Sequence, residues 1–361
     1  LGKGLKERRN EIDRIDRQLL RLLNRRARIV LEVGEQKVKE GKGIYDPSRE
    51  EETLDRLSAE NPGPFPSEAL NTVFREIISA SRSLEGPLRV CFLGPEGTFT
   101  HLATLRHFGS SVQLVSQGSI DEVFTEVEQQ RAEFGVVPVE NSLEGSVGRT
   151  LDLFIDSELK VFAEVLLPVS HDLLSLGGRL TDIKRVYSHP QAFAQCRSWL
   201  KENLSDREWC EVDSTAQAAR KAAADREGAA IASEFAGRKY GLLTLKERIE
   251  DSAFNITRFL VISRRKAKKS RRDRTSLLLS LKDEPGSLFR ALKPLAREGI
   301  NLTKIESRPL KRKAWEYIFF IDLDGHISEQ KIQKALREVE KHCLFLKVLG
   351  SYPKARSEEV E

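Results

Sequence analysis

Residues 9–37 read RNEIDRIDRQLLRLLNRRARIVLEVGEQK. Taken in steps of three and four they give Arg9, Ile12, Asp16, Leu19, Leu23, Arg26, Val30, Val33 and Lys37, one stripe of a long helix. Apolar and charged positions alternate along it, and a charge on a buried stripe is costly unless something pairs it. At 1.5 Å per residue, Arg9 and Arg26 stand roughly 25 Å apart and Arg26 and Lys37 roughly 16 Å. One small anion cannot touch Arg9 and Arg26 of the same helix. If both serve one site, Arg9 comes from a second copy of the chain and the protein works as an oligomer. The helix is expected over 5–39, ended by Glu40-Gly41-Lys42-Gly43.

Outward from it, Ser48–Glu60 and Ser67–Leu84 are expected as two further helices, and Gly86-Pro87 closes an all-helical module over 1–86. From Leu88 the pattern changes. Short β-branched runs at Arg89–Leu93, Phe134–Val139, Val161–Val169, Arg185–Tyr187, Ala229–Ala232 and Phe259–Ile262 alternate with amphipathic stretches. That is α/β organisation, over 88–263. Residues 264–274 are basic and lack apolar periodicity, so they read as a linker. Over 275–353 the order is strand Leu277–Leu281, helix Gly286–Glu298, strands Ile300–Arg308 and Trp315–Leu323, helix Ser328–Lys341 and strand Leu344–Leu349. This is the βαββαβ, ferredoxin-like α+β arrangement.

The 361 residues suffice for two or three cores. A net charge of +5 against 32% charged residues argues against a dedicated nucleic-acid binder. Phosphate binding through the basic run would be strongly salt-dependent, but no base-stacking aromatic lies in it, and a solvated linker is the better reading. Cys91, Cys196, Cys210 and Cys343 form no CxxC pair and are expected as free thiols of a cytoplasmic protein. No stretch approaches the ~20 apolar residues that span a bilayer. The charged N-terminal residues contain no signal-peptide core, and no membrane partner is expected. His101 and His107 have no further ligand at metal spacing, and no nucleotide fingerprint appears, so no metal or other cofactor is expected.

Two groups of residues carry candidate chemistry. In the helical module Arg26, Lys37, Asp46, Arg49, Glu50, Ser81 and Glu85 are expected to line one cavity, with Arg9 reaching in from the second chain. Arginine binds carboxylates bidentately, so this set suits a dicarboxylate. The competing reading is a surface coiled coil with solvated charges. In the α/β segment a strand–turn–helix device recurs. It appears at Gly94-Pro95-Glu96-Gly97-Thr98-Phe99-Thr100-His101, at Val137–Val147 and at Tyr187-Ser188-His189-Pro190-Gln191. Phe254-Asn255-Ile256-Thr257-Arg258-Phe259 adds a hydroxyl and a guanidinium before a strand. Each alone is more often a turn or cap; the set suggests a cleft for a small anion.

The run Arg9-x-x-Ile12, Leu22-Leu23-Asn24-Arg25-Arg26, Glu32-Val33-Gly34-x-x-Lys37 and Asp46-x-x-Arg49-Glu50 resembles the helical chorismate mutase family. The resemblance covers about 5–85. It implies an intertwined dimer with an arginine lent across subunits, and a Claisen rearrangement of chorismate to prephenate without a covalent intermediate. Arg9 and Arg26 would hold a carboxylate, Arg49 would help orient the substrate, and Lys37 would stabilise the ether oxygen. Glu85 falls where family members carry Gln or Glu. A donor role requires its protonated form, so mutase activity is expected to fall as pH rises and Glu85→Gln to flatten the profile.

Residues 88–263 are similar to prephenate dehydratase at Gly94-Pro95-x-Gly97-Thr98-Phe99-Thr100, Pro138-Val139-Glu140-Asn141, Tyr187-Ser188-His189-Pro190-Gln191 and Asn255-x-Thr257-Arg258-Phe259. The resemblance implies two α/β lobes around a cleft, like periplasmic-type binding proteins, and loss of CO2 and hydroxide from prephenate to give phenylpyruvate. Thr257 would be the catalytic residue at the departing hydroxyl. Thr98, Asn141, Ser188, His189 and Gln195 would position substrate, with His189 open to either a proton-source or a structural role. Arg258 would meet a carboxylate. Neither reaction needs a cofactor.

Glu284-Pro285-Gly286-Ser287-Leu288 and Glu306-Ser307-Arg308-Pro309 make the βαββαβ segment resemble an ACT domain that binds phenylalanine between paired subunits. Gly286 and Ser287 at a helix start would receive the carboxylate, Glu306 would lie near the amino group, and Leu288 and Ser307 would belong to the same effector site. Phenylalanine would be a feedback effector, and the chain a homodimer, with pairing into tetramers left open. Two rival readings remain: a monofunctional dehydratase whose helices only dimerise, and a non-enzymatic ligand sensor.

Overall fold

The computed structural model describes residues 2–40, 45–309 and 317–355. The Gly41–Gly43 stop and Trp315 lie outside the described residues. The chain forms two compact units. One comprises the residues up to Leu88 together with Phe108–Gln113, and the other Arg89–His107 and Leu114 onward.

The first unit is built on three helices, α1 (Gly2–Lys39), α2 (Pro47–Glu60) and α3 (Ser67–Glu85). Asp46 caps α2 by accepting from the Arg49 amide, and Pro47 opens it, where a missing N–H costs nothing. α3 packs on both other helices. Gly34 lets this happen on α1: a Cβ there would lie 2.9 Å from Glu85 Cγ. Among the described residues, the N-terminal part of α1 has little cover. Leu19, Leu20 and Leu22 are 52, 61 and 59% exposed, beside exposed Ile12, Ile15 and Leu23. An apolar row this long is unusual on a finished surface.

The second unit holds three sheets. Strands β1 (Arg89–Leu93), β2 (Gln113–Gln117), β3 (Phe134–Asn141), β4 (Gly145–Ser146) and β5 (Lys160–Pro168) enclose helices α4 (Phe99–Phe108), α5 (Ile120–Glu128) and α6 (Gly148–Asp156) along the chain. A second lobe contains β6 (Asp172–Ser175), β7 (Arg185–Ser188), β8 (Glu208–Glu211), β9 (Gly228–Ala232) and β10 (Leu243–Lys246). Its helices are α7 (Pro190–Gln195), α8 (Arg197–Asn203), α9 (Thr215–Ala222) and α10 (Glu234–Tyr240). The chain then returns to the first lobe as β11 (Ile256–Ser263). The sheets run β2-β1-β3-β11-β5, with β4 on β3, and β10-β6-β9-β7-β8. The second lobe packs Val186, Ile231 and Leu200 on one side and an alanine-rich group, Ala218, Ala219, Ala222 and Ala230, on the other.

The third sheet is antiparallel, β13-β14-β12-β15, from β12 (Asp273–Ser280), β13 (Leu302–Pro309), β14 (Tyr317–Asp324) and β15 (Phe345–Pro353). Helices α11 (Ser287–Arg297) and α12 (Gln330–Glu340) cover one face through Leu277, Leu279, Leu295, Ile321, Ile332 and Val339. The expected linker is shorter than 264–274, because Asp273 and Arg274 already pair with β15. Strands β2, β4, β6, β8 and β10 were not expected. They are two to five residues long and carry too few β-branched positions to stand out.

Candidate active sites

In the helical unit the expected residues meet as pairs between α1 and α3. Lys37 Nζ lies 3.2 Å from Glu85 Oε2, with the Glu85 side chain 6% exposed. Arg26 Nη1 donates to Ser81 Oγ. Burial lowers the Arg26 pKa, and the nearby Glu50 carboxylate opposes that shift. Glu50 itself is turned to Arg82, 2.7 Å away. Burial raises the Glu50 pKa, which Arg82 counters. Arg82, which the sequence did not suggest, also donates to the Phe108 carbonyl and lies over the Tyr45 ring. Nothing in a charge pattern marks a buried structural arginine. Asp46 serves α2 as its cap. Arg49 is exposed and lies 3.5 Å from Glu52. Arg9 is exposed on α1, and the chain's own α1 does not bring it to Arg26.

In the second unit a cavity of about 280 Å³ is lined by residues of both lobes, among them Thr98, Asn141, His189, Gln195, Asn255 and Thr257. Register explains its centre. Thr257 on β11 is directly opposite Asn141 on β3, so their side chains share a face. The backbone amides of Leu143 and Glu144 donate to Asn141 Oδ1 at 3.0 and 3.2 Å. That leaves Asn141 Nδ2 to donate to Thr257 Oγ1 at 2.9 Å and Asn255 Oδ1 at 2.7 Å. Asn255 Nδ2 then donates to Gln195 Oε1 at 3.0 Å, and Gln195 Nε2 to Glu144 Oε1 at 3.0 Å. Since Thr257 Oγ1 accepts from Asn141, its own O–H proton is directed to another acceptor.

Other expected residues fall differently. Thr98 lines the cavity while its hydroxyl accepts from the His101 amide at 3.3 Å, capping α4. His189 caps α7, its Nδ1 accepting from the Gln191 amide at 3.3 Å. Ser188 is not a lining residue: it is fully buried and donates to the Ile231 carbonyl at 2.9 Å. Arg258 is also not in the cavity. Adjacent strand residues point to opposite faces, so Thr257 and Arg258 cannot serve one site. Arg258 is buried against Glu164, Asp322 and Tyr352. Burial opposes its charge, but these neighbours outweigh it and raise the pKa further. No lysine or arginine lines the cavity among the described residues. Asn255 and His171 join the site unannounced. Asn255 was findable: it stands in the Asn255-x-Thr257 run, just before β11. His171, which contacts Gln195 Oε1 at 2.9 Å, stands in no motif and comes in only through the lobe packing.

In the third sheet Gly286 has φ +80, where a side chain would be strained, and it starts α11. Ser287 Oγ accepts from Arg290 at 3.1 Å, and Leu288 packs on the core. Glu306 is a correction. It faces the other side of the sheet, accepting from Ser146 and lying 3.3 Å from Lys304. Strand alternation leaves only exposed Ser307 on the helix side, opposite Phe319. Among the described residues no group of His, Cys, Asp and Glu could hold a metal, and no helix is long and apolar enough to cross a membrane.

The family model for chorismate mutase type II matches residues 8–86, that for prephenate dehydratase 90–267, and that for the ACT domain 275–341. A "Bifunctional chorismate mutase/prephenate dehydratase" of Aquifex aeolicus is 49% identical over 98% of this chain and 99% of its own. One of Neisseria gonorrhoeae is 44% identical over 96% of each chain. The prephenate dehydratase of Arthrobacter aurescens, solved in complex with L-Phe, superposes with a TM-score of 0.69 at 34% identity. That match covers 75% of this chain and 91% of that one. Fold and sites together define a multidomain enzyme, with an all-α mutase module, a two-lobed α/β dehydratase and an α+β ACT domain. The chain belongs to the bifunctional chorismate mutase/prephenate dehydratase family.

Proposed function

We propose that residues 1–86 isomerise chorismate to prephenate, 88–263 convert prephenate to phenylpyruvate, and 275–353 sense phenylalanine as an end product. The chain is an isomerase and a lyase of phenylalanine biosynthesis. In the mutase, Arg26, Arg49 and a partner's Arg9 hold the dianion in a reactive conformer. Lys37 and Glu85, 3.2 Å apart, meet the ether oxygen as its C–O bond breaks.

The observation that carries the dehydratase reading is the hydrogen-bond polarity at Thr257. Its oxygen accepts from Asn141, which leaves its proton for the departing hydroxyl. As the C–CO2 bond breaks, its electron pair completes the aromatic ring and expels hydroxide, which leaves as water once protonated. An alkyl hydroxyl is a poor acid; Thr257 stabilises the leaving oxygen by a hydrogen bond. With no cation in the lining, the substrate's carboxylates meet neutral donors and the N-termini of α4 and α9. Phenylalanine acts through the third sheet by favouring one of two arrangements of the oligomer. The test is to supply purified protein with chorismate and follow prephenate and phenylpyruvate with and without phenylalanine. Both products should form, with phenylpyruvate suppressed by phenylalanine. Failure to consume chorismate would leave the helices a scaffold only.

A further inference from the structure

Thr257 and Arg258 are neighbours on β11 that face opposite ways. Thr257 lines the cavity, while Arg258 lies in the seam between the first lobe and the C-terminal sheet. Its Nε donates to Glu164 Oε2 at 2.8 Å on β5, beside it in the same sheet. Its other two donors cross the seam: Nη1 to Asp322 Oδ2 on β14 at 2.6 Å and Nη2 to Tyr352 Oη on β15 at 2.9 Å. Ser276 on β12 bridges those two partners, lying 2.6 Å from Tyr352 Oη and donating to Asp322 Oδ1. β13 contributes Lys304, 3.0 Å from Glu140, whose carboxylate is 3.7 Å from Arg258. All four strands of the C-terminal sheet thus bear on this one guanidinium, directly or through one intermediary. Arg258, Arg274 and Lys304 are matched by Glu140, Glu164 and Asp322, and the Glu164 and Asp322 side chains are only 1 and 8% exposed.

We propose that Arg258 is a positioning residue for the dehydratase: its planar fork ties β11 to the C-terminal sheet and so fixes where the Thr257 hydroxyl sits in the cavity. This rests on the reading of Thr257 given above. The geometry of a guanidinium is rigid, and each of its three nitrogens is committed to a different partner. A displacement of the C-terminal sheet either carries β11 with it or strands buried charges without partners. Thr257 is one residue away, so the sheet's position reaches the reacting oxygen without passing through the second lobe. The same tie gives an effector bound at the C-terminal sheet a direct route to the dehydratase and none to Lys37 and Glu85 through this seam.

Arg258→Ala would strip the buried Asp322 of its ion pair with Arg258 and leave Glu164 to Arg274, so Arg258→Lys and Tyr352→Phe are the variants to use in the full chain. Each should lower dehydratase kcat on the order of 10- to 100-fold, as a misplaced reacting group does. KM for prephenate should stay within about twofold, since the cavity lining is intact. Mutase activity and the thermal midpoint should hold, and wild-type phenylalanine sensitivity should weaken. Unchanged dehydratase kcat in both variants overturns the proposal. So does a joint fall of kcat, melting midpoint and mutase activity, which marks a merely structural role. Thr257→Ala assayed alongside separates the two ideas: if it keeps its dehydratase turnover, the reading of Thr257 has failed; if it is dead while Arg258→Lys and Tyr352→Phe are normal, only the tie has failed.

Discussion

The two catalytic units meet anionic substrates in opposite ways. The helical unit presents full charges, Arg26 and Lys37, on a framework whose longest helix is largely uncovered. The two-lobed unit presents amides, hydroxyls and helix ends in a cavity without a lining lysine or arginine among the described residues, and keeps Arg258 on the far side of the strand. A rearrangement without proton transfer gains most from fixed charges that clamp one conformer. A reaction that must expel CO2 from a carboxylate loses by pairing that carboxylate too tightly, because an ion pair stronger to the carboxylate than to the departing neutral CO2 stabilises the ground state. Neutral donors orient such a group without holding it. The contrast teaches that one chain can handle closely related dianions with unlike electrostatics, each suited to its own bond-breaking step.

The sharpest way to break this comparison is at Thr257. Thr257→Ala should lower dehydratase turnover by roughly 100-fold or more, the scale of a lost hydrogen-bond donor to developing negative charge, while chorismate is still consumed at the wild-type rate. Prephenate should then accumulate. Equal loss of both activities would mean that the units are not independent sites.

Next comes the uncovered helix. Arg9→Ala and Arg26→Ala should each silence the mutase, and mixing the two after unfolding and refolding together should restore about a quarter of wild-type activity. Half of the random dimers are mixed, and each mixed dimer holds one intact site made from one Arg9 and the other Arg26. No recovery would show that Arg9 is not lent between chains. Dehydratase activity is the internal control.

Much of this was legible in residues. The α1 stripe announced both the helix and the distance between its cations, because helical rise is nearly constant. The cleft could be anticipated from strand-end turns at Gly94, Asn141 and Ser188, and Thr98, Asn141, His189, Gln195 and Thr257, named from the sequence, do line it. Ser188 and Arg258 looked like ligands because a strand-end hydroxyl and a guanidinium are typical ones. Face alternation sent both inward, and which face of a strand looks at a cavity depends on sheets paired across long stretches of chain. Glu306 misled in the same way. His171 illustrates the converse, a lone histidine that only lobe packing makes part of a network.

His171 also gives the smallest of the expected effects. Gln195 Oε1 already accepts from Asn255, so the facing His171 Nε2 must carry its proton, which leaves Nδ1 as a bare lone pair. That nitrogen is buried and finds no partner among the described residues. Charging the ring would place a second N–H where nothing accepts it. Burial accordingly lowers the His171 pKa from 6.5, against a weaker upward pull from Gln195 and Glu250, and burial does the same to His101. The unfolded chain therefore binds protons here before the folded one does. Stability is complete above the ordinary histidine range and is lost as pH falls from about 6.5 toward the depressed value. Denaturant midpoints measured between pH 7.5 and 5.5 should decline on acidification in the wild type and less steeply in His171→Gln, with His101 supplying the remainder. Identical slopes in the two proteins would mean that folding does not lower the His171 pKa.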